Sequence, residues 1–476
     1  MSDMIAHINS VINGYVWGVP MMILIVGTGV YFTIRTGFLQ FAKFGYAMKN
    51  TIGKCFEKVE AKEGAVTPLQ ALTTALAATV GTGNIAGVCG AIAAGGPGAI
   101  FWMWISALFG MCTKFSEVTL AIKYRERNNK GDWVGGPMYY IKNGLGKNWK
   151  WLGALFAVFG MLAAFGIGNM TQVNTIAVTI GSAINEFTAL PESTMKIVYL
   201  VIGIIVAVIS AMVYLGGLKR IGNVTEKLVP FMAIIYIVGC LIVIVANSQH
   251  IGTVFSDIFR GAFSPSAVLG GAVGIGISQA MKKGIGRGVF SNEAGLGSAP
   301  IAHAAADTDS PVRQGLFGVF EVFADTIIIC TLTALTVMCA FTGNDAISIN
   351  FGQNASSELA ITAFSTTFGG KAAGVVIAVG LTLFALSTVL SWGLYGTRCA
   401  EFLFGTWVIK PYQVLFCIFM VVGATMKLDL AWAIADTLNG LMAIPNLIAL
   451  LLLSPVVVNL VKEYFADPAR ELEKRK

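Results

Sequence analysis

Charge is scarce in this chain. Asp, Glu, Lys and Arg make up 12% of its 476 residues, about half the share of an ordinary soluble domain. A water-soluble body of this length needs more charge to coat its surface. The net charge of +7 comes without a basic-aromatic patch, so no nucleic-acid partner is expected. The three histidines, His7, His250 and His303, form no metal-ligand spacing. The eight cysteines include no Cys-x-x-Cys pair and mostly sit in apolar runs, as buried small hydrophobes do. No phosphate-binding Gly-x-x-x-x-Gly-Lys-Ser/Thr loop occurs, which argues against an ATP-driven pump, and Gly81-x-Gly83-x-x-x-Gly87 misses the dinucleotide spacing by one residue. No long stretch alternates with period two, which argues against a membrane β-barrel. No His cluster or Ser-His-Asp set suggests an enzyme, and no cofactor is expected. Residues 1–13 are polar and carry Asp3, so the first apolar run reads as a helix that stays and not as a cleaved leader.

What the chain has instead is grease: 56% of its residues are hydrophobic. A membrane-spanning helix needs about 20 apolar residues. Such runs fall at 14–34, 68–95, 98–123, 150–184, 196–216, 226–247, 264–280, 312–341, 372–396, 406–424 and 428–460. In lipid these must be helices, because the backbone has no water to bond. The expected fold class is therefore an all-α integral membrane protein with about eleven transmembrane helices. Lys and Arg crowd the connections 35–63, 123–150, 217–227 and 281–313 and the tail, whereas 185–195 and 342–356 have none. That alternation puts the N-terminus outside and the C-terminus in the cytoplasm of a cell-membrane protein.

Two apolar runs are interrupted by clustered glycine and polar residues. One is Thr79–Gly87 and the other Gly270–Gln279. Each glycine costs a helix interior about 1 kcal/mol relative to alanine. Close helix packing is one use of such glycines. Broken helices whose free N–H and C=O groups face a cavity are the other, and their matched placement in two halves favours the second. The halves are 64–247 and 264–462, with 14–63 an extra N-terminal helix and loop and 463–476 a tail.

At Gly81-Thr82-Gly83-Asn84 the chain resembles the alanine/glycine:cation symporter family. The stretches Gly95–Trp102, Gly135–Tyr140 and Gly286–Pro300 carry the same resemblance, which covers essentially the whole chain. It implies a LeuT-type five-plus-five inverted repeat with one extra N-terminal helix, and sodium- or proton-coupled uptake of alanine or glycine. Val80–Asn84 is also similar to the unwound segment of the neurotransmitter:sodium symporters. That likeness implies a sodium site from the carbonyls of Ala77, Val80 and Phe384 and the hydroxyls of Ser387 and Thr388.

A zwitterion needs donors for its carboxylate and acceptors for its ammonium. The N–H groups near Thr82, Gly83 and Asn84 suit the first. Val273, Gly274, Gly276, Ser278 and Gln279 are the expected second wall, with Gln172 facing the substrate and Trp392 capping a short pocket. Neither expected break contains an acid. Gln172 could instead serve as an interhelical bond and Trp392 as a packed aromatic. Glu321 and Asp325 share a helix face; an interhelical ion pair and proton coupling are both open. The segment 282–300 reads as a polar cytoplasmic loop with a short re-entrant helix. A monomer in lipid, moving sodium and a small neutral amino acid by alternating access, is the expected carrier, with an ion channel as the rival.

Overall fold

The computed structural model describes residues 2–54, 60–185, 187–188, 190–264, 275–353, 357–426 and 429–467. Nine of its helices are long and apolar enough to cross a membrane: α1 (Met4–Arg35), α4 (Gly98–Lys123), α5 (Lys147–Asn185), α6 (Glu192–Leu215), α7 (Gly217–Ala246), α11 (Pro311–Phe341), α13 (Gly370–Phe404), α14 (Thr406–Thr425) and α15 (Ala433–Leu452). Between α1 and α4 lie α2 (Pro68–Thr79) and α3 (Ala86–Gly95), a pair bent by 56° that passes the same test as one broken span. Three helices fall between α7 and α11 with no such signal: α8 (Ile251–Phe263), α9 (Ile277–Asn292) and α10 (Ala299–His303). The helices α12 (Glu358–Phe368) and α16 (Ser454–Ala466) complete the set.

The start of α2 follows from its sequence. Thr67 and Gln70 form a reciprocal capping box and Pro68 occupies the first turn, satisfying N–H groups that would otherwise be orphaned. Its end is equally local. The Gly81 N–H donates to Asn84 Oδ1 at 2.8 Å instead of continuing the helix. A Cβ on Gly81 would sit 2.6 Å from Thr388 Oγ1, so the break can press against α13 only with glycine there.

Of the second expected break only 275–279 lie among the described residues, and there a helix begins. Gly276 precedes α9, which then runs unbroken through Ser278 and Gln279 to Asn292; 270–274 lie outside the described residues. The chain unwinds at 293–298. Glu293 adopts a left-handed backbone (φ 55°), and Gly295 and Gly297 have φ of 92° and 84°. Side chains from other helices hold the freed peptide groups. Glu117 Oε1 accepts from Gly295 N–H at 3.1 Å, and Asn446 Nδ2 donates to the Gly295 carbonyl at 2.8 Å.

The stretch 282–300 is therefore no polar loop. It follows α4 along its length: Gly284 meets Ala99 and Trp102, Gly288 meets Met103, Ala294 meets Gly110, and Ala304 meets Gly135 beside Ala121. Residues 291–306 are all buried. Lys283 and Arg287 pack near Gly95 and Gly87, at the end of α4 far from Lys123. The expectation that Lys282, Lys283 and Arg287 share the side of the 123–150 connection is corrected. Only the chain after His303 reaches that side, where Arg125 donates to the carbonyls of Ala304, Ala306 and Thr308.

Candidate functional site

A small cavity of about 20 Å³ lies where the two breaks meet, room for about one water molecule. Its walls are Ala78, Thr79, Gly81, Thr82 and Gly83 from the first break, Phe290 and Glu293 from the second, Ile167 and Gln172 from α5, Thr388 and Trp392 from α13, and Asn439 from α15. The N–H groups of Thr82 and Gly83 have no acceptor among the described residues. Two free amide donors at the head of the 82–84 turn form an anion-binding corner.

The α5 wall is shaped by a wide turn at Gly166–Met170. A Cβ on Gly168 would stand 2.1 Å from the Trp392 Cβ, so the indole reaches the cavity only because position 168 has no side chain. Gln172 Nε2 donates to the Ile167 carbonyl at 2.9 Å, and Gln172 Oε1 accepts from Thr82 Oγ1 at 3.2 Å. Trp392 is buried, and its Nε1–H donates to Glu293 Oε1 at 3.2 Å.

Beside the cavity four oxygens cluster. Ser387 Oγ lies 3.2 Å from the Ala77 carbonyl and 2.8 Å from that of Phe384; Thr388 Oγ1 lies 3.1 and 2.9 Å from the same two. The break explains why Ala77 is available. In an unbroken helix its carbonyl would accept from Gly81 N–H, which here bonds Asn84. Val80 follows with ψ of 87°, already out of helix. The set is all oxygen and uncharged, the donor type a hard monovalent cation takes.

Of the expected substrate residues, Thr82, Gly83, Gln172 and Trp392 line one cavity. Asn84 does not. Its Nδ2 turns to α11 and donates to Asp325 Oδ1 at 2.6 Å. Gly276, Ser278 and Gln279 open α9 at its far end, where Gln279 Nε2 donates to the Ala94 carbonyl at 3.2 Å. Eleven helical residues separate Gln279 from Phe290, about 16 Å. Val273 and Gly274 lie outside the described residues.

Glu321 and Asp325 have different surroundings despite sharing a helix. Glu321 pairs with Lys114 Nζ at 3.4 Å, both side chains fully buried, and accepts from His303 Nε2 at 3.1 Å. Gln314 Nε2 donates to His303 Nδ1 at 2.9 Å, which leaves the ring proton on Nε2. Asp325 accepts from Asn84, Ser291 Oγ and Thr326 Oγ1, so it bridges the first break and α9 without a cation beside it. Sequence reasoning missed Glu293, Phe290 and Asn439. The signal for Glu293 was present in Asn292-Glu293-Ala294-Gly295-Leu296-Gly297-Ser298, where an acid is flanked by helix-breaking glycines, but the nearby lysines made it read as loop.

Residues 2–476 match the family model described as the sodium:alanine symporter family. The chain belongs to the sodium:alanine symporter family. A sodium/alanine symporter of Methanococcus maripaludis is 47% identical over 97% of this chain and 97% of its own. An uncharacterized transporter of Haemophilus influenzae is 44% identical over 97% and 96%, and a probable sodium/glutamine symporter of Bacillus subtilis 36% identical over 98% and 92%. Among solved structures, MhsT in complex with L-phenylalanine superposes with a TM-score of 0.57 at 14% identity, covering 84% of this chain and 99% of that one. A manganese transporter of Eremococcus coleocola gives 0.52 at 15% identity, covering 86% and 82%. The fold is LeuT-type, and this family member is a multi-pass membrane transporter, not an enzyme.

Proposed function

We propose that the protein is a secondary symporter that takes up alanine or glycine with sodium by alternating access. The observation that carries this is the meeting of two broken helices at one cavity beside a four-oxygen cluster. The free N–H groups of Thr82 and Gly83 would receive the substrate carboxylate, with Gln172 alongside. Trp392 and Phe290 would bound the side-chain space, which favours small substrates. Sodium would take the carbonyls of Ala77, Val80 and Phe384 and the hydroxyls of Ser387 and Thr388. One half of the inverted repeat, 64–247, would move against the other, 264–462, with α9 and α10 counted as an eleventh crossing and the N-terminus outside. The protein would work as a monomer in the cell membrane. The sodium/alanine symporter of Methanococcus maripaludis supports sodium and alanine as the cargo.

The test is uptake of labelled alanine into liposomes holding the purified protein, with sodium and proton gradients imposed separately. Accumulation driven by sodium alone is expected. Accumulation driven only by protons would favour the second reading, for which the buried Asp325 between the first break and α9 is the supporting observation.

A further inference from the structure

We propose that Glu293 holds the ammonium group of the transported amino acid; this deepens, and rests on, the symport reading above. Glu293 lines the same cavity as Thr82 and Gly83 and is only 4% exposed. A buried carboxylate inside a membrane protein needs a counter-charge. The nearest candidate, Lys114, acts on Glu293 only from beyond ion-pair distance. Lys114 lies within 4 Å of Glu321 but not of Glu293, and no other cation pairs with Glu293 among the described residues. What Glu293 has are neutral partners, the Trp392 indole on Oε1 and the Ser298 hydroxyl on Oε2. An ionised carboxylate offers about four lone-pair sites, so each oxygen retains one for a ligand.

The backbone points the same way. Glu293 caps α9 in the left-handed region, its N–H donating to the Val289 carbonyl at 2.8 Å. Glycine or asparagine suits such a position, and a longer side chain is strained there by about 1 kcal/mol or more. At this position Glu293 adds a carboxylate to the residues lining the cavity, where a glycine would add none. Two amide donors and a carboxylate without an ion pair thus line one cavity, and in chemical type they suit the two ends of a small zwitterion, for which the walls must draw apart. The indole and hydroxyl fix the carboxylate before the substrate arrives, so little rotamer freedom is lost on binding.

The test is equilibrium binding of labelled alanine to the purified protein in sodium, competed by unlabelled alanine and by L-lactate, in which a hydroxyl stands in for the ammonium. Wild-type protein should prefer alanine strongly. In Glu293→Gln alanine affinity should fall about 100-fold, as for the loss of one partner of a buried charge pair, and the alanine-to-lactate preference should collapse with it. Glu293→Asp should lose part of the affinity yet still reject lactate, which keeps the test alive if the glutamine variant does not fold. Sodium-dependent thermal stabilisation without amino acid should survive in both. An unchanged alanine-to-lactate ratio in Glu293→Gln overturns the proposal, and so does loss of the sodium response with that ratio intact, which would make Glu293 a sodium ligand. Wild-type protein that binds no alanine at all would instead overturn the symport reading itself.

Discussion

Single atoms decide most of what this site can do. The hydroxyl of Thr388 touches the Ala77 and Phe384 carbonyls and also faces Gly81. Thr388→Ala should raise the sodium concentration for half-maximal alanine uptake about tenfold, the value of roughly one hydrogen-bond-sized interaction, whereas Thr388→Ser should stay near wild type. A sodium titration of liposome uptake checks both. Gly168 makes the converse case, a position defined by what it lacks. A methyl there would overlap Trp392, and overpacking of this kind destabilises by about 1–3 kcal/mol. Gly168→Ala should lower the thermal unfolding midpoint in detergent and weaken alanine binding, since the indole must leave its place beside Glu293 and Gln172.

The element scale shows where the sequence was legible and where it was not. The first break could be found because Val80–Gly87 is both polar and glycine-rich within an otherwise greasy run, and its end depends on neighbours no more than three residues away, such as Gly81 and Asn84. The break between α9 and α10 was hidden by long-range packing. Its peptide groups are held by Glu117 and Asn446, 178 and 151 residues from Gly295, and no local pattern announces such partners. The lysines and arginine of α9 made the stretch resemble a loop, because composition cannot tell a cation facing a water-filled cleft from one in a cytoplasmic connection. Lys282, Lys283 and Arg287 line an outer cleft of about 310 Å³ with Asn13, Trp17, Phe290 and Asp436. Charge on the α4–α11 contact has the opposite setting. Lys114 and Glu321 are fully buried, and removing one partner of such a pair costs about 3–5 kcal/mol. Lys114→Met should therefore destabilise strongly, while Lys114→Met with Glu321→Gln should recover much of the loss. Chemical or thermal unfolding of the single and double variants measures the coupling.

Across the whole molecule the two ends of the transport route differ. At one end Phe290 is the one residue that lines both the cleft of Lys282, Lys283 and Arg287 and the cavity. At the other end closure is extensive. Arg125 gathers three carbonyls of the chain after α10, Val66 exchanges backbone bonds with Ala305 and Asp307 of that chain, and Arg398 pairs with Glu401 at 2.6 Å and Asp132 at 3.1 Å. Val66 ties the start of α2 to the chain after α10, and Arg125 and Asp132 of the 123–150 connection tie that chain and α13 to it, so contacts of this kind would part if the route opened toward that side. Alternating access requires two arrangements within a few kcal/mol of each other, and hydrogen bonds to charged donors contribute about 1.5–3 kcal/mol each. Arg125→Ala removes three at once and should shift the population by tenfold or more toward the state open on that side. Amide hydrogen exchange at 304–308 should then accelerate by a similar factor, with 440–450 on α15 unchanged. The sodium concentration needed to restore wild-type protection should rise, because sodium at Ala77, Ser387 and Thr388 would have to draw back a population that Arg125 no longer holds. Exchange at 304–308 that matched wild type would show that the closed end is held by packing, with Arg125 contributing little to the balance between the two states.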